Sequence, residues 1–322
     1  MDCLRALVLI LGVSSIVSGC VVINIVPNKS ETGDDSFANQ SGQLYDSRPN
    51  IDKCQAGTLK ISVKEGVLNT VNKIRALHGL SPVMYDDQYD DEVMKGALII
   101  AASGHLTHYP EPSEKCYSPE GANGGKTSNI VGGTISPHLR FQSPDDDIIG
   151  WITDVGNASG QNVGHRRWLL DPFLKKIAFG RVASVLANGD STDGSMIRVV
   201  WNDQHKNQSP RSENNFVAYP FMDYPQKYFD EKAILSFTAI DDQLNRHKNK
   251  ADYSRANLEV VDETGNFVHT HDVKGDNDGY GVPNVLQFRM GAVQPKMKYM
   301  VNIRNVLING QSKSYSYWFR VV

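Results

Sequence analysis

The stretch NVGHRRWLLDP, Asn162–Pro172, decides how the centre of the chain folds. It places His165 directly after a glycine, follows it with two arginines and the apolar run Trp-Leu-Leu, and ends with Asp-Pro. The apolar run predicts burial in a core, and the proline predicts the end of the segment because it cannot continue a regular element. His165 is therefore a catalytic group, a metal ligand or a packed polar side chain.

The sequence before this stretch predicts three helices. Apolar residues recur at spacings of three and four over Lys60–His78 and again over Asp87–Ser103, and a glycine follows each segment, as is typical of helix C-termini. A third helix is expected over Pro144–Asp154, with Ser143 or Asp145 as its N-cap. The Pro- and Gly-rich region between the second and third helices is expected to be a long loop of the kind that often carries function.

The sequence after this stretch predicts a sheet. The segments KIAFGRVAS and SMIRVVWND have the composition of strands, and the turn sequence ANGDSTDG separates them. Helices combined with a short sheet predict an α+β fold or a three-layer sandwich for residues 51–205.

Residues 206–322 have a different character. They begin with a polar linker, which starts at His205, and after it short β-rich segments alternate with turn sequences. This pattern predicts a β-sandwich of immunoglobulin-like architecture, ending in a hairpin across Asn309-Gly310. The chain is therefore expected to contain two domains, residues 51–205 and 206–322.

The N-terminal residues predict export. Residues 1–19 contain an early arginine, an apolar segment too short for a typical membrane span, and then small residues, as a signal peptide does. Val17–Cys20 resembles a bacterial lipobox, which predicts cleavage before Cys20 and a lipid on its thiol that anchors the protein to a membrane. The alternative is an ordinary thiol near a plain cleavage site. Residues 20–50 are mostly polar and predict a flexible tether.

These features predict a location in the bacterial cell envelope. An aspartate directly after the lipidated cysteine resembles an inner-membrane retention signal, and the residue at that position here is Val21. The outer membrane is therefore preferred for a Gram-negative cell. The net charge of −3 gives no electrostatic reason to expect nucleic acid as a partner.

The cysteine count also supports export. Cys3 leaves with the signal peptide and Cys20 carries the lipid, so Cys54 and Cys116 remain as an even pair in an oxidising compartment. We predict a disulfide between them, which would close a loop of about 60 residues and contribute about 4 kcal/mol in the chain-entropy model. Two separate buried thiols are the alternative.

Three residues of the first domain have side chains suited to chemistry: His108, Asp154 and His165. Two histidines and an acid either bind a divalent transition metal or transfer protons near neutral pH. Their spacing does not by itself predict a site, because only the fold could bring His108 and His165 together.

Four motifs resemble those of one family. NTVNKIRALHGLSPVMYDD resembles its first helix and turn, LTHYPEP places a cleft histidine at His108, GWITD places an acid at Asp154, and VGHRRWLLDPFLKKIAFGRV places a second cleft histidine, His165, on a strand-associated segment. Residues 65–205 thus resemble the CAP superfamily of cysteine-rich secretory proteins, insect antigen 5 proteins and plant pathogenesis-related class 1 proteins. The resemblance implies an α-β-α sandwich whose cleft is lined by two histidines and two acids and sometimes holds a divalent metal.

The chain departs from this pattern at its acids. Ser128, in Thr-Ser-Asn, stands where the family has the glutamate of Gly-Glu-Asn, and the second acid is the shorter Asp154. The implied cleft residues are His108, Ser128, Asn129, Asp154 and His165. No cofactor is required. The two histidines and the aspartate, with a water, would supply four ligands for zinc, and a metal-free cleft is the alternative.

Some neighbouring residues are expected to be structural. Of Arg166 and Arg167, one is expected to pair with an acid such as Asp171 and the other to lie over the core. Trp151 and Trp168 are expected to be core aromatics, and the acidic DNDG sequence that begins at Asp276 is expected to be a tight turn rather than a calcium loop.

The expected function is binding. The sequence describes a secreted, membrane-tethered CAP/SCP-like protein whose cleft takes a small or lipidic ligand or an envelope protein partner, without catalysis. One alternative is a divalent-metal-dependent hydrolase that uses His108, Asp154 and His165. Another is an adhesive module whose C-terminal sandwich binds the partner. A nucleophilic triad built on Ser128 is disfavoured, because no G-x-S-x-G turn surrounds that serine.

Overall fold

The computed structural model describes residues 36–157 and 162–322. The predicted signal peptide at residues 1–19, the lipidated Cys20 and the first part of the predicted tether lie outside the described residues. None of the helices in the described part of the chain is both long enough and apolar enough to cross a lipid bilayer.

The described residues form six α-helices and fifteen β-strands. The helices are α1 (Phe37–Gly42), α2 (Ile61–Leu77), α3 (Asp90–Ser103), α4 (Pro119–Thr127), α5 (Pro144–Thr153) and α6 (Gly164–Leu169). The strands are β1 (Tyr45–Ser47), β2 (Thr58–Leu59), β3 (Met84–Tyr85), β4 (Ser128–Ser136), β5 (Lys176–Val185), β6 (Ser191–Arg198), β7 (Phe216–Tyr219), β8 (Met222–Tyr224), β9 (Leu235–Ala239), β10 (Ala251–Asp252), β11 (Asn257–Asp262), β12 (Thr270–Asp276), β13 (Val285–Met290), β14 (Lys298–Ile308) and β15 (Gln311–Val321).

The three predicted helices are confirmed as α2, α3 and α5. Helix α3 is preceded by a single 3-10 turn over Asp87–Tyr89, so the regular helix begins three residues later than predicted. Ser143 is the N-cap of α5, and with Asp146 it forms a complete capping box. The disulfide between Cys54 and Cys116 is also confirmed.

The ordered fold begins earlier than predicted, because α1 and β1 lie within the segment assigned to the flexible tether. Tyr45 is buried; its hydroxyl donates to the Arg181 carbonyl at 3.2 Å and accepts from the Ala183 N–H at 2.8 Å. The polar composition conceals this segment, in which Leu44 and Tyr45 are buried apolar side chains.

Helix α4 lies where a loop was predicted. Its start follows a recognisable rule, with Ser118 as N-cap and a proline at the first helical position. The glycines of α4 explain why the sequence did not predict a helix here, because glycine is a poor helix former. They are needed for close packing on α3: a Cβ at Gly121 would lie 2.9 Å from the Lys95 carbonyl oxygen, and one at Gly124 would lie 2.8 Å from that of Glu92.

Within the segment that the resemblance associates with a strand, His165 itself lies on a helix, α6, and the strand β5 follows it. The buried residues of α6 are Gly164, Arg166, Arg167 and Leu169. At six residues, the helix is too short to give a periodic signal in the sequence.

The central sheet has the order β3-β5-β6-β4, in which β3 pairs parallel to β5 and the other pairs are antiparallel. Helix α3 packs so closely on one face that a Cβ at Gly180 would lie 2.4 Å from the Val93 backbone. Arg181, the next residue, reaches the opposite face and pairs with Asp147 of α5. Helices therefore cover both faces, and the predicted α+β class is confirmed.

The C-terminal part contains two further sheets, one with the order β10-β14-β15-β8 plus β11 beside β14, and one with the order β12-β13-β9-β7. Side chains from both sheets form one hydrophobic cluster that includes Phe237, Phe288, Val301 and Phe319. The hairpin between β14 and β15 is confirmed, with positive φ at Asn309 and Gly310. The immunoglobulin-like architecture stays a prediction.

One of the two hydrophobic clusters contains residues from both sides of the predicted domain boundary near residue 205. The main hydrophobic core contains residues of α2, α3 and α5 together with Val217, Tyr219, Tyr224 and Phe229 from the C-terminal part. The described residues accordingly lie in one compact unit.

Candidate functional site

A cleft of about 360 Å³ lies beside helices α5 and α6. Its apolar lining residues are Leu106, Ile130, Val131, Trp151, Val155 and Tyr280. Its polar lining residues are Thr107, His108, Gln142, Asp146, Asp147, Asp154, Asn157 and His165. The fold thus brings both predicted histidines and the predicted acid, from three separate segments, into one cleft.

Asp154 and His165 form a hydrogen-bonded pair. Asp154 follows the last residue of α5 in a left-handed conformation with φ of 54°, and its carboxylate is fully buried. Its Oδ1 atom lies 2.9 Å from Nδ1 of His165, whose side chain is 21% exposed. Oδ2 accepts the backbone N–H of Arg166 at 3.2 Å, which ties the end of α5 to the first turn of α6.

The carboxylate determines which ring nitrogen of His165 carries the proton. An ionised carboxylate only accepts hydrogen bonds, so Nδ1 of the neutral imidazole must donate to it. Nε2 then keeps its lone pair, and it has no hydrogen-bond partner among residues 36–157 and 162–322. His165 therefore offers a hydrogen-bond acceptor, or a base, to the cleft.

His108 is held in the same tautomer by a different partner. Its Nδ1 atom lies 2.8 Å from the carbonyl oxygen of Gly125 in helix α4, and a carbonyl can only accept. Nε2 of His108 is thus the second acceptor in the lining, and within the described chain it too has no hydrogen-bond partner.

The comparison with protein families gives a match over the part of the chain that contains the two cleft histidines and Asp154. The model of the cysteine-rich secretory protein family, CAP, matches residues 68–184. The chain contains a CAP domain. The matched residues contain His108, Asp154 and His165 and end within strand β5, so the two C-terminal sheets lie beyond the match. A comparison with curated proteins found no match.

The three predicted metal ligands of the CAP domain do not form a metal-binding group. No set of three or more His, Cys, Asp or Glu side chains in the described part of the chain is placed to hold a metal ion. The reason is the position of Asp154: His165 and Asn157 occupy Oδ1, and the Arg166 N–H occupies Oδ2. Its carboxylate orients His165 instead of facing a cation, and Ser128 supplies no second carboxylate.

Ser128 and Asn129 lie near the cleft but not in its described lining. Oγ of Ser128 is buried and has no hydrogen-bond partner in the described residues, so it is placed neither as a nucleophile nor as a ligand. The side-chain amide of Asn129 donates to the His165 carbonyl at 3.0 Å. Asn129 thus supports the backbone that presents the histidine.

The two arginines after His165 have other partners than predicted. Asp171 pairs with Arg246 of the C-terminal part and not with either arginine. Arg166 lies over the ring of Tyr219, with its Cζ atom 3.7 Å from the ring centroid. It also donates to the Ile152 and Thr153 carbonyls at the end of α5, at 2.6 Å each.

Arg167 pairs with the carboxylates of Asp276, the last residue of β12, and Asp278, in the turn that leads from β12 towards β13. The sequence predicted this turn but gave it no role in the cleft. The structure shows that it reaches the CAP domain and places the next residue but one, Tyr280, in the lining of the cleft.

A buried charge cluster lies beneath the cleft. Arg181 of β5 binds both Asp147, a lining residue, and Asp193 of β6. Burial raises the pKa of Asp147 to about 7, although Arg181 opposes the shift, and it also raises the pKa of Asp193. Two carboxylates share a single cation, so near neutral pH the cluster holds on to a proton that an exposed aspartate would release.

Proposed function

We propose that the cleft of this CAP protein binds a small molecule with an apolar body and a hydrogen-bond-donating head, without catalysing a reaction. The observation that carries the proposal is the pair of acceptor atoms, Nε2 of His108 and Nε2 of His165, in one largely apolar cleft. A hydroxyl or amine on the ligand would donate to them, while its body would contact Ile130, Val131 and Trp151.

The charges of the lining support an uncharged or cationic ligand. Asp146 and Asp154 contribute carboxylates, the carboxyl group of Asp147 is paired with Arg181, and the described lining contains no lysine or arginine. An anionic head such as a carboxylate or phosphate would meet like charges in a partly desolvated site, which disfavours its binding.

The absence of an activated nucleophile at the cleft supports a binding role. Asp154 and His165 resemble two members of a proton-transfer relay, but the hydroxyl of Ser128 lies outside the described lining. The remaining lining hydroxyls in the described chain, on Thr107 and Tyr280, have no adjacent base among their hydrogen-bond partners. A metal-activated water would need a ligand set that the described residues do not form.

The proposal includes export and a lipid anchor on Cys20, with the membrane as a partner through that lipid. The Cys54–Cys116 disulfide supports it, because disulfides persist mainly in oxidising compartments outside the cytoplasm. Fatty-acid labelling of the expressed protein is expected to label the wild type and not the Cys20→Ala variant. Equal labelling of both would refute the anchor.

The ligand-binding proposal is tested with two fluorescent probes of similar size. We expect uncharged N-phenyl-1-naphthylamine, which carries one N–H donor, to bind saturably, and the sulfonated 1-anilinonaphthalene-8-sulfonate to bind about tenfold more weakly or not at all, because of the acidic lining. Tighter binding of the sulfonated probe would contradict the proposed charge preference, and no binding of the uncharged probe would contradict the proposed function.

Two glycine variants locate the binding. Gly150 lies in α5 and lines the cleft, and a Cβ there would meet no atom within 4 Å, so Gly150→Trp is expected to fill the cleft and weaken probe binding by at least about tenfold. Gly66 in α2 is equally free of neighbours but does not line the cleft. Gly66→Trp is the matched control and is expected to leave the affinity unchanged.

A further inference from the structure

One wall of the cleft comes from outside the CAP match. Tyr280 lies in the turn between β12 and β13 of the C-terminal part, yet it lines the cleft with residues of α5 and α6. It is 42% exposed, so much of its ring is open to a ligand.

Helix α6 holds this ring at two points. Trp168 packs against it edge to face, with ring centroids 5.3 Å apart. Gly164, directly before His165, leaves the space the ring uses, since a Cβ there would lie 2.8 Å from the Cε1 atom of Tyr280. The ring is therefore placed by the same short helix that presents the cleft histidine.

The turn that carries the ring is held equally firmly. Arg167, which is buried, binds Asp276 and Asp278, and Asp278 in turn accepts the backbone N–H of Tyr280 at 2.8 Å. A Cβ at Gly281 would lie 2.5 Å from the Arg167 carbonyl carbon, which shows how closely the two backbones approach.

A second arginine fixes the turn from its other side. Arg246 donates to the carbonyls of Gly279 and Gly281 on either side of Tyr280, and it also pairs with Asp171 of the CAP domain. Ion pairs and hydrogen bonds from both parts of the chain thus converge on one turn, and the residue at its centre, Tyr280, faces the cleft.

We infer that Tyr280 is a specificity-determining residue, a wall that the C-terminal part supplies to the CAP cleft and that limits the size of the ligand's apolar body. This inference rests on the proposed function, because it assigns Tyr280 a contact with the ligand of that cleft. An aromatic wall adds contact area and excludes water from one side of the ligand, and its removal enlarges the cleft.

The test uses the full chain and two uncharged probes, N-phenyl-1-naphthylamine and the larger Nile red. We expect Tyr280→Ala to weaken naphthylamine binding by about tenfold and Nile red binding by less, so that the ratio of the two affinities moves toward the larger probe. Tyr280→Phe keeps the ring and is expected to stay within about twofold of the wild type. Phe267→Ala removes a 76% exposed aromatic ring of the C-terminal part away from the cleft and is the matched control.

A second variant moves the ring without removing it. Gly164→Ala places a methyl group against Tyr280 and is expected to weaken naphthylamine binding in the same direction as Tyr280→Ala, with no change in the Phe267→Ala control. An unchanged affinity ratio in folded Tyr280→Ala would overturn the inference and leave the proposed function intact. Absence of naphthylamine binding by the wild type would instead overturn the proposed function.

Discussion

Asp154 combines backbone strain with a site contact. Non-glycine residues with positive φ are uncommon, and aspartate and asparagine adopt this conformation more readily than most. Here it turns the carboxylate back, so that one oxygen orients His165 and the other accepts the backbone N–H of Arg166 in the first turn of α6. One residue therefore ends α5, supports the start of α6 and determines the tautomer of the cleft histidine.

The variant Asp154→Asn tests this role because asparagine tolerates the same backbone conformation. The asparagine has one carbonyl oxygen, which can accept the Arg166 N–H only if the side-chain NH₂ group faces Nδ1 of His165. Because the NH₂ group can only donate, Nδ1 must then accept a hydrogen bond. We expect the imidazole proton to move to Nε2, which the nitrogen chemical shifts of His165 would report. His108, held by a backbone carbonyl, should keep its tautomer and is the internal control. Retention of the Nδ1–H tautomer at His165 would contradict the assignment.

At the scale of elements, α4 shows how packing overrides helix propensity. Its glycines allow the helix to lie against α3, and the carbonyl of Gly125 then anchors His108. A residue that would improve the isolated helix is expected to damage its packing, because the atom that a Cβ would meet belongs to the backbone of α3.

Two alanine substitutions with opposite expected signs test this conclusion. Gly124→Ala places a Cβ 2.8 Å from the Glu92 carbonyl oxygen. We expect it to lower the free energy of unfolding by about 1–3 kcal/mol, despite the better helix propensity of alanine. Gly66→Ala, in open space on α2, should raise that free energy by about 0.5–1 kcal/mol. Urea unfolding measures both, and stabilisation by Gly124→Ala would show that the helices can separate without loss.

The same elements show what the sequence could predict. Helices α2 and α3 are long and periodic, and α5 begins with a capping box, so their local signals and their packing agree. Helices α4 and α6 are short, and contacts with other segments stabilise them. The sequence identified His108, Asp154 and His165 through a resemblance, but it offered no signal for Tyr280, whose role depends on a turn reaching the cleft from another part of the chain.

At the scale of the whole molecule, the two predicted domains share part of one hydrophobic core. Tyr219 of β7 lies under Arg166 of α6, and its ring packs against Tyr224 and Phe229, all within the core that the CAP helices share. Cutting the chain near residue 205 would expose these apolar contacts and leave the buried arginine without its aromatic partner.

We therefore expect a single cooperative unfolding transition for the protein with its disulfide intact. In scanning calorimetry the calorimetric and van't Hoff enthalpies should agree, as they do for a two-state unit. Tyr219→Leu should lower the midpoint of that one transition without splitting it, since it weakens a contact between the two parts. Two resolved transitions in the wild type would show instead that the C-terminal sheets unfold independently.

The position of Tyr280 in the chain also sets the order in which the protein matures. A chain that leaves the ribosome or a translocation pore from its N-terminus releases both cleft histidines more than a hundred residues before Tyr280. The turn that carries Tyr280 belongs to a sheet whose hydrophobic partner is the final hairpin, β14 and β15. The aromatic wall of the cleft therefore depends on packing against β14 and β15, so a chain truncated before β14 would carry both histidines without that wall.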